Sequence, residues 1–308
     1  MNLIDELKEY KDLKSSTVTI GVFDGVHLGH QKLISQVVKE ANNDGSCPTV
    51  ITFVNHPASV LKNNFKAEFI CSIESRIQLL KNSCIQQVIP ISFDTDVANL
   101  SAKYFIGCLQ DIMKMKKIII GPDFAMGRNR SGTNITLPKL GSEMGFTVKS
   151  IESVTDTSNC HISSTSIRKQ IKSGNFQYVN SQLGRNYSFD GKVVEGMKRG
   201  RTLGYPTANL KLINPDIVTP PDGIYATRTL VDQKLYLSAT SIGNQPTFGG
   251  NERTIESYLI DFSDNLYGKK INIQFEKLIR NQKYFESTIE LKKQMLKDVE
   301  ETQIILSN

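Results

Sequence analysis

Hydrophobic positions in the first half of the chain switch repeatedly between two periods. Thr17-Val18-Thr19-Ile20 is a β-branched, apolar run and reads as a buried strand. Leu33, Ile34, Val37, Val38 and Ala41 follow at three-and-four spacing, one apolar stripe of a helix. Residues 48–54 read as strand, 73–81 as helix, 87–93 as strand, and 100–113 as helix with Ser101 near its start. Lys117-Ile118-Ile119-Ile120 is a strand stopped by Gly121-Pro122, and 147–154 supplies a fifth. This alternation predicts an α/β domain of Rossmann-like type, a parallel sheet with helices on both faces. Ligands of such sheets bind beyond the carboxyl ends of the strands, where the segment 21–30 falls.

The pattern changes near Leu183-Gly184-Arg185. Residues 224–231 and 235–242 are β-branched and aromatic and flank a short polar turn, which predicts a hairpin. Residues 254–260 and 271–279 read as further strands. Ser287-Thr288-Ile289-Glu290 is a capping box, and Leu291, Met295 and Val299 share one face of the helix behind it. A small antiparallel β-barrel with a C-terminal helix fits this half. The expected domains are 1–182 and 183–308.

The 308 residues suit two domains, and 39% apolar with 22% charged residues is ordinary for a soluble chain. The net charge of +6 comes without a basic run, and Trp is absent. A mildly basic solvated surface accounts for it, and anionic small substrates fit better than nucleic acid. Five cysteines, at 47, 71, 84, 108 and 160, form no Cys-x-x-Cys and argue against a disulfide framework or zinc knuckle. No stretch of about 18 apolar residues marks a membrane span. A cytoplasmic protein with neither membrane nor nucleic-acid partner is expected.

Two segments carry phosphate chemistry. In Gly21-Val22-Phe23-Asp24-Gly25-Val26-His27-Leu28-Gly29-His30 a strand turns into a helix, aiming backbone N–H groups and the helix dipole at an anion. Gly21, Gly25 and Gly29 allow close approach, with Phe23 and Asp24 between them; His27 and His30, three apart, can reach one phosphate. Zinc ligation with His56 as third ligand, or plain surface histidines, are the alternatives. A second anion device is Ile162-Ser163-Ser164-Thr165-Ser166-Ile167-Arg168, where Ser164 and Thr165 open a helix; an arginine in its first turn calls for an anionic partner, whereas capping alone would explain the serines.

In the second half, Gly196-Met197-Lys198-Arg199-Gly200-Arg201 is a glycine-spaced basic loop, followed by Leu203-Gly204-Tyr205-Pro206-Thr207-Ala208-Asn209. Pro206 fixes a turn. Thr207 and Asn209, two apart on an extended segment, point the same way and offer hard oxygen ligands to a Mg²⁺–nucleotide. A purely structural turn is the equal alternative.

His27-Leu28-Gly29-His30 in this setting resembles the nucleotidyltransferase superfamily. Together with Ser164-Thr165-Ser166-Ile167-Arg168 it resembles one branch, the bacterial bifunctional riboflavin kinase/FAD synthetases, over nearly the whole chain. The resemblance implies two ATP- and Mg²⁺-dependent steps, riboflavin to FMN in the barrel and FMN to FAD in the α/β domain. It implies that His27 and His30 stabilise the ATP phosphates and that Arg168, with Ser164 and Thr165, holds the departing pyrophosphate. Asn55, His56, Asp123 and Phe124 would border flavin in the first domain. Gly200, Arg201, Gly204 and Pro206 would bind ATP in the second, and Thr207 and Asn209 the metal. Pro221-Asp222-Gly223-Ile224-Tyr225, the block 241–248 and Arg253-Thr254-Ile255-Glu256 also match. By that match Glu256 is the catalytic base; without it, Glu256 is one polar residue on an alternating strand. Arg280 and Phe285 would border the second flavin pocket. Two departures stand out: Val54-Asn55 where the family carries an acidic residue and a proline, and Ala125-Met126-Gly127 where it carries Arg-Phe-Gly. They motivate two rival readings, a chain in which only the kinase works well and a non-catalytic flavin-binding regulator. An adenylyl- or cytidylyltransferase acting on another phosphate is a third, disfavoured by the kinase half.

Overall fold

The computed structural model describes residues 3–10, 14–155, 161–196, 199–244 and 253–307. Cys160, Met197, Lys198 and the Gln245-Pro246-Thr247-Phe248 end of the 241–248 block lie outside them. Contacts divide the chain into two compact units, 1–67 with 73–164, and 68–72 with 165–308.

The first unit holds five parallel strands in the spatial order Gln87–Ile91, Cys47–Phe53, Ser16–Gly21, Met115–Ile120, Thr147–Ser150. The inner strands Ser16–Gly21 and Cys47–Phe53 are buried on both faces, whereas the edge strand Thr147–Ser150 is largely exposed. Ile118 and Ile120 pack with Phe105, Ile106 and Leu109 on one face, and Ile119 packs with Ile34, Val37 and Leu80 on the other. Each such burial contributes about 1.5–3 kcal/mol. The fifth strand ends at Ser150 rather than at 154. Its neighbour stops at Ile120, before Gly121-Pro122, so residues 151–154 have no sheet partner beyond the bond from Ile151 N to Ile120 O. Strand order reverses between Ser16–Gly21 and Met115–Ile120, and it is at such a switch point that a crevice opens.

The second unit is a closed antiparallel barrel in the order Gly223–Val231, Lys234–Gly243, Thr254–Leu259, Ala208–Leu212, Tyr187–Val194, Lys270–Asn281. The hairpin turn is Asp232-Gln233, both at positive φ (46° and 68°), as a two-residue hairpin loop requires. Tyr225, Thr227 and Thr229 point inward, where Thr227 bonds Ser238 and Thr240 at 2.8 and 2.7 Å. Residues of opposite parity face outward, under the helix Thr288–Ser307, whose first turn is capped by Ser287.

By contacts, residues 165–182 group with the barrel, so the expected boundary at 182/183 falls inside that unit. On the helix Phe176–Leu183, Phe176 stacks on Phe275 with centroids 5.0 Å apart, and Asn180 bonds both Phe275 O and Tyr187 N at 2.8 Å. A short segment from the first half also joins this unit. Phe69 N donates to Asp216 O at 2.8 Å, Val218 N donates to Phe69 O at 2.9 Å, and Lys172 pairs with Glu68 at 2.6 Å.

Candidate active sites

At the switch point of the first unit, a cleft is lined by Gly21, Phe23, His27, Gly29, His30, Asp123, Phe124 and Ser164 among others. The loop feeding it is contorted. Phe23 and Val26 take positive φ (50° and 41°), and for a β-branched residue that is strain held by its surroundings. Gly25 adopts φ 77°, and Asp24 is buried beneath the loop. Ser164 ties its hydroxyl to Asp24 O at 3.0 Å.

His27 caps the helix Leu28–Asp44, its Nδ1 accepting from His30 N at 3.4 Å. The two imidazoles stack with centroids 3.6 Å apart and planes 20° from parallel. Gly29 makes room, since a Cβ there would meet the His27 ring at 3.1 Å. Burial first, and then the charges of His27 and Arg76, hold His30 well below the usual 6.5. It is therefore neutral at pH 7.

Asn55 and His56 do not line this cleft. Asn55 donates its amide to Phe93 O at 2.7 Å and accepts from Phe93 N at 2.8 Å, clasping two strand ends. His56 accepts from Ala58 N at 3.1 Å, and its ring lies 5.1 Å from that of Phe65. Thr165 and Arg168 fall in the second unit, and Arg168 is the fifth residue of the helix Ser164–Lys172 rather than part of its first turn.

In the second unit a cleft opens on the outer face of the barrel, beneath the C-terminal helix. Ile224, Ala239 and Tyr258 wall it from the barrel, and Leu291, Met295 and Val299 from the helix. Gly200, Thr207, Glu256, Arg280 and Phe285 also line it. Thr207 Oγ1 donates to Glu256 Oε2 at 3.0 Å. Asn209 is the direct cross-strand partner of Glu256, so the two side chains share a face. A Cβ on Gly196 would fall 2.2 Å from the Asn209 amide and would push that side chain aside. A neighbouring cleft contains Arg201, Pro206, Ser257, Phe262 and Asp264, and the two meet at Thr207. The expected loop at 199–203 is instead a short helix, Arg199–Leu203, ended by Gly204 at φ 88°. Gly200 lies against Tyr205 O, where a Cβ would come within 2.3 Å of backbone.

Arg280 does not offer its guanidinium to the cleft alone. It grips Asp298 on the C-terminal helix through two bonds, 2.8 and 2.6 Å. Its guanidinium carbon also lies 5.8 Å from the Phe285 ring centre.

Residues 9–166 match the family model described as FAD synthetase, and 183–306 match that described as riboflavin kinase. Curated bifunctional riboflavin kinase/FMN adenylyltransferases are similar along the whole chain. That of Buchnera aphidicola subsp. Schizaphis graminum is 35% identical, covering 97% of each chain. That of Bacillus subtilis is also 35% identical, over 95% of this chain and 93% of its own. The chain belongs to the bifunctional riboflavin kinase/FMN adenylyltransferase family. A crystal structure described as a macrolide-efflux protein from Streptococcus pneumoniae has the same fold, with a TM-score of 0.87, 30% identity and 96% of each chain covered. Among the described residues, no helix is long and apolar enough to cross a membrane.

The two departures from this family's pattern differ in setting, for Val54 is exposed while Asn55 and Met126 are engaged by neighbours. Asn55 is committed to Phe93. Met126 packs against the apolar cluster around Leu137 and Phe105, and a Cβ on Gly132 would lie 2.7 Å from its Cγ.

Proposed function

We propose that the two activities of this bifunctional enzyme divide between the two clefts, each using its own side chains on a different phosphorus of ATP. The observation that supports this most directly is the Thr207–Glu256 pair, 3.0 Å apart in the cleft beneath the C-terminal helix. In that cleft the isoalloxazine lies between the barrel face and Leu291, Met295 and Val299. Glu256 accepts the proton of the riboflavin 5′-hydroxyl as its oxygen bonds to the γ-phosphorus and the bond to the β-phosphate oxygen breaks. FMN and ADP result. ATP reaches the same point from the neighbouring cleft, past Gly200, Arg201, Gly204 and Pro206.

The oxygen donors around Glu256 suit Mg²⁺. Thr207 Oγ1 and the Asn209 side-chain carbonyl would hold it, with phosphate oxygens completing the shell. When bound, the ion supplies charge neutralisation at the transferring phosphate.

In the first unit, a phosphate oxygen of FMN attacks the α-phosphorus of ATP and pyrophosphate leaves. No proton transfer is needed, so positioning and hydrogen-bond donation carry the rate. His27 and neutral His30 donate to the phosphates over the loop 21–30, and Asp123 and Phe124 border the flavin. We assign Ser164, whose hydroxyl is tied to the loop at Asp24 O, to the leaving pyrophosphate. ATP, riboflavin and FMN suffice as partners, and a cytoplasmic setting suits these substrates.

The test mixes protein, riboflavin, ATP and Mg²⁺ and resolves flavins by chromatography. FMN is expected first and FAD later. Glu256→Gln stops FMN formation but adenylylates supplied FMN, and His27→Ala does the reverse. Loss of both steps in either folded variant would refute the division; FMN without FAD in the unsubstituted protein would favour the kinase-only reading.

A further inference from the structure

The helix Ile73–Asn82 buries Leu80 against the sheet, as its pattern requires, but it also buries an arginine. Arg76 is 1% exposed. A guanidinium is costly to bury unless its donors are met, and a long apolar side chain would fill the same space without that cost. Two bonds from its Nη1 run toward the phosphate loop. Arg76 Nη1 donates to Phe53 O at 2.7 Å and to Thr52 Oγ1 at 3.4 Å, at the carboxyl end of the second strand. Thr52 Oγ1 in turn donates to Val22 O at 3.0 Å, inside the phosphate loop. Two hydrogen bonds thus connect a buried cation to the loop that carries His27 and His30.

We infer that Arg76 is a positioning residue for adenylyl transfer, fixing the phosphate loop through Thr52. This rests on the reading of the first cleft as the adenylyl-transfer site. His30 Nδ1 is buried without a hydrogen-bond partner. An orphaned acceptor is less costly than an orphaned N–H, so the single proton of a neutral imidazole resides on Nε2. Burial foremost, then the charge of His27 and last that of Arg76, oppose a second proton and keep His30 a one-proton donor. Among the described residues, the other ionisable groups around this cleft are Asp24 beneath the loop, His27 stacked on the ring, and Asp123, Glu152 and His161 along its walls.

The full-length protein carries the test, because riboflavin phosphorylation in the same preparation reports separately on the second unit. Arg76→Gln is expected to lower kcat for FMN adenylylation by about 10- to 100-fold, leave phosphorylation unchanged, and raise the NMR titration midpoint of the His30 ring. The acid limb of the adenylylation pH profile then moves to higher pH. Arg76→Lys restores the midpoint and part of the rate. Thr52→Val keeps the charge and cuts the connection, so it lowers the rate without moving the midpoint. Wild-type adenylylation in folded Arg76→Gln, or a lost rate with an unmoved His30 midpoint and no rescue by lysine, would overturn the inference. If Arg76→Gln fails to fold, Thr52→Val decides, and its adenylylating at the wild-type rate is the adverse result. An unsubstituted protein that made no FAD would instead refute the underlying site assignment.

Discussion

Thr207 gives its hydroxyl proton to Glu256 at 3.0 Å, and Asn209 faces the same carboxylate across the strand pair. The hydroxyl helps to fix the carboxylate rotamer, and Thr254 Oγ1 donates to the other oxygen at 3.5 Å. Thr207→Val is therefore expected to lower kcat for riboflavin phosphorylation by about 10²-fold, with a smaller effect on the KM for riboflavin. Adenylylation of supplied FMN stays at the wild-type rate. Steady-state kinetics of both steps on one preparation checks this, and an equal loss in both would count against it.

Arg280 and Asp298 form a bidentate pair that ties the last barrel strand to the C-terminal helix, and Gln294 adds a bond to the same carboxylate at 2.9 Å. Both side chains are mostly buried, so removing one partner strands the other's charge. Asp298→Ala is expected to cost the second unit about 3–5 kcal/mol and to loosen the helix wall of the cleft. Riboflavin affinity, read from quenching of flavin fluorescence, falls more than the rate at saturating flavin.

The sequence carried the sheet plainly, since Thr17-Val18-Thr19-Ile20 and Ile118-Ile119-Ile120 have the continuous apolar character that two covered faces demand. His27 and His30 were legible for a local reason, being framed by glycines at a strand-to-helix turn. Glu256 was not, because its partners Thr207 and Asn209 come from a strand about fifty residues away, and only the likeness to a family pointed to it. Arg76 gave no signal at all: an arginine in an amphipathic helix reads as solvent-facing, and only the fold places it under the phosphate loop. The short helix Arg199–Leu203 was hidden by the glycines at 196, 200 and 204, which read as loop. The attachment of Phe69 to Asp216 and Val218 is likewise non-local and has no pattern of its own.

That attachment has a measurable consequence. Phe69 is 7% exposed and packs with the barrel unit although its neighbours at 67 and 73 belong to the sheet unit. Phe69→Ala removes a buried aromatic side chain, a loss of about 3–5 kcal/mol. The thermal inactivation midpoint of riboflavin phosphorylation should fall further than that of FMN adenylylation, despite the residue's place in the first quarter of the chain. The reverse order would mean that the segment stabilises the sheet unit instead.

Glu40, on the helix that begins at His27, is held by two lysines from two adjacent strands, Lys117 and Lys149, each at 2.7 Å. Hydrogen bonds from Lys117 first and Lys149 second lower its pKa from 4.5 to about 2. A carboxylate depressed in the folded state contributes stability that is present above its unfolded value and is lost as the pH falls toward the folded one. The stabilisation is thus full at pH 7 and fades between 4.5 and about 2. Because the site is near solvent, the effect stays below about 1 kcal/mol and shrinks in high salt. Glu40→Gln is expected to lower the melting temperature of the first unit slightly at pH 7, with the gap to wild type closing as the pH drops to about 3. Adenylylation kinetics should not change, since Glu40 lies near the opposite end of the helix from His30. Melting curves at several pH values and two salt concentrations provide the check, and a gap that persists at low pH would remove this ion pair as its source.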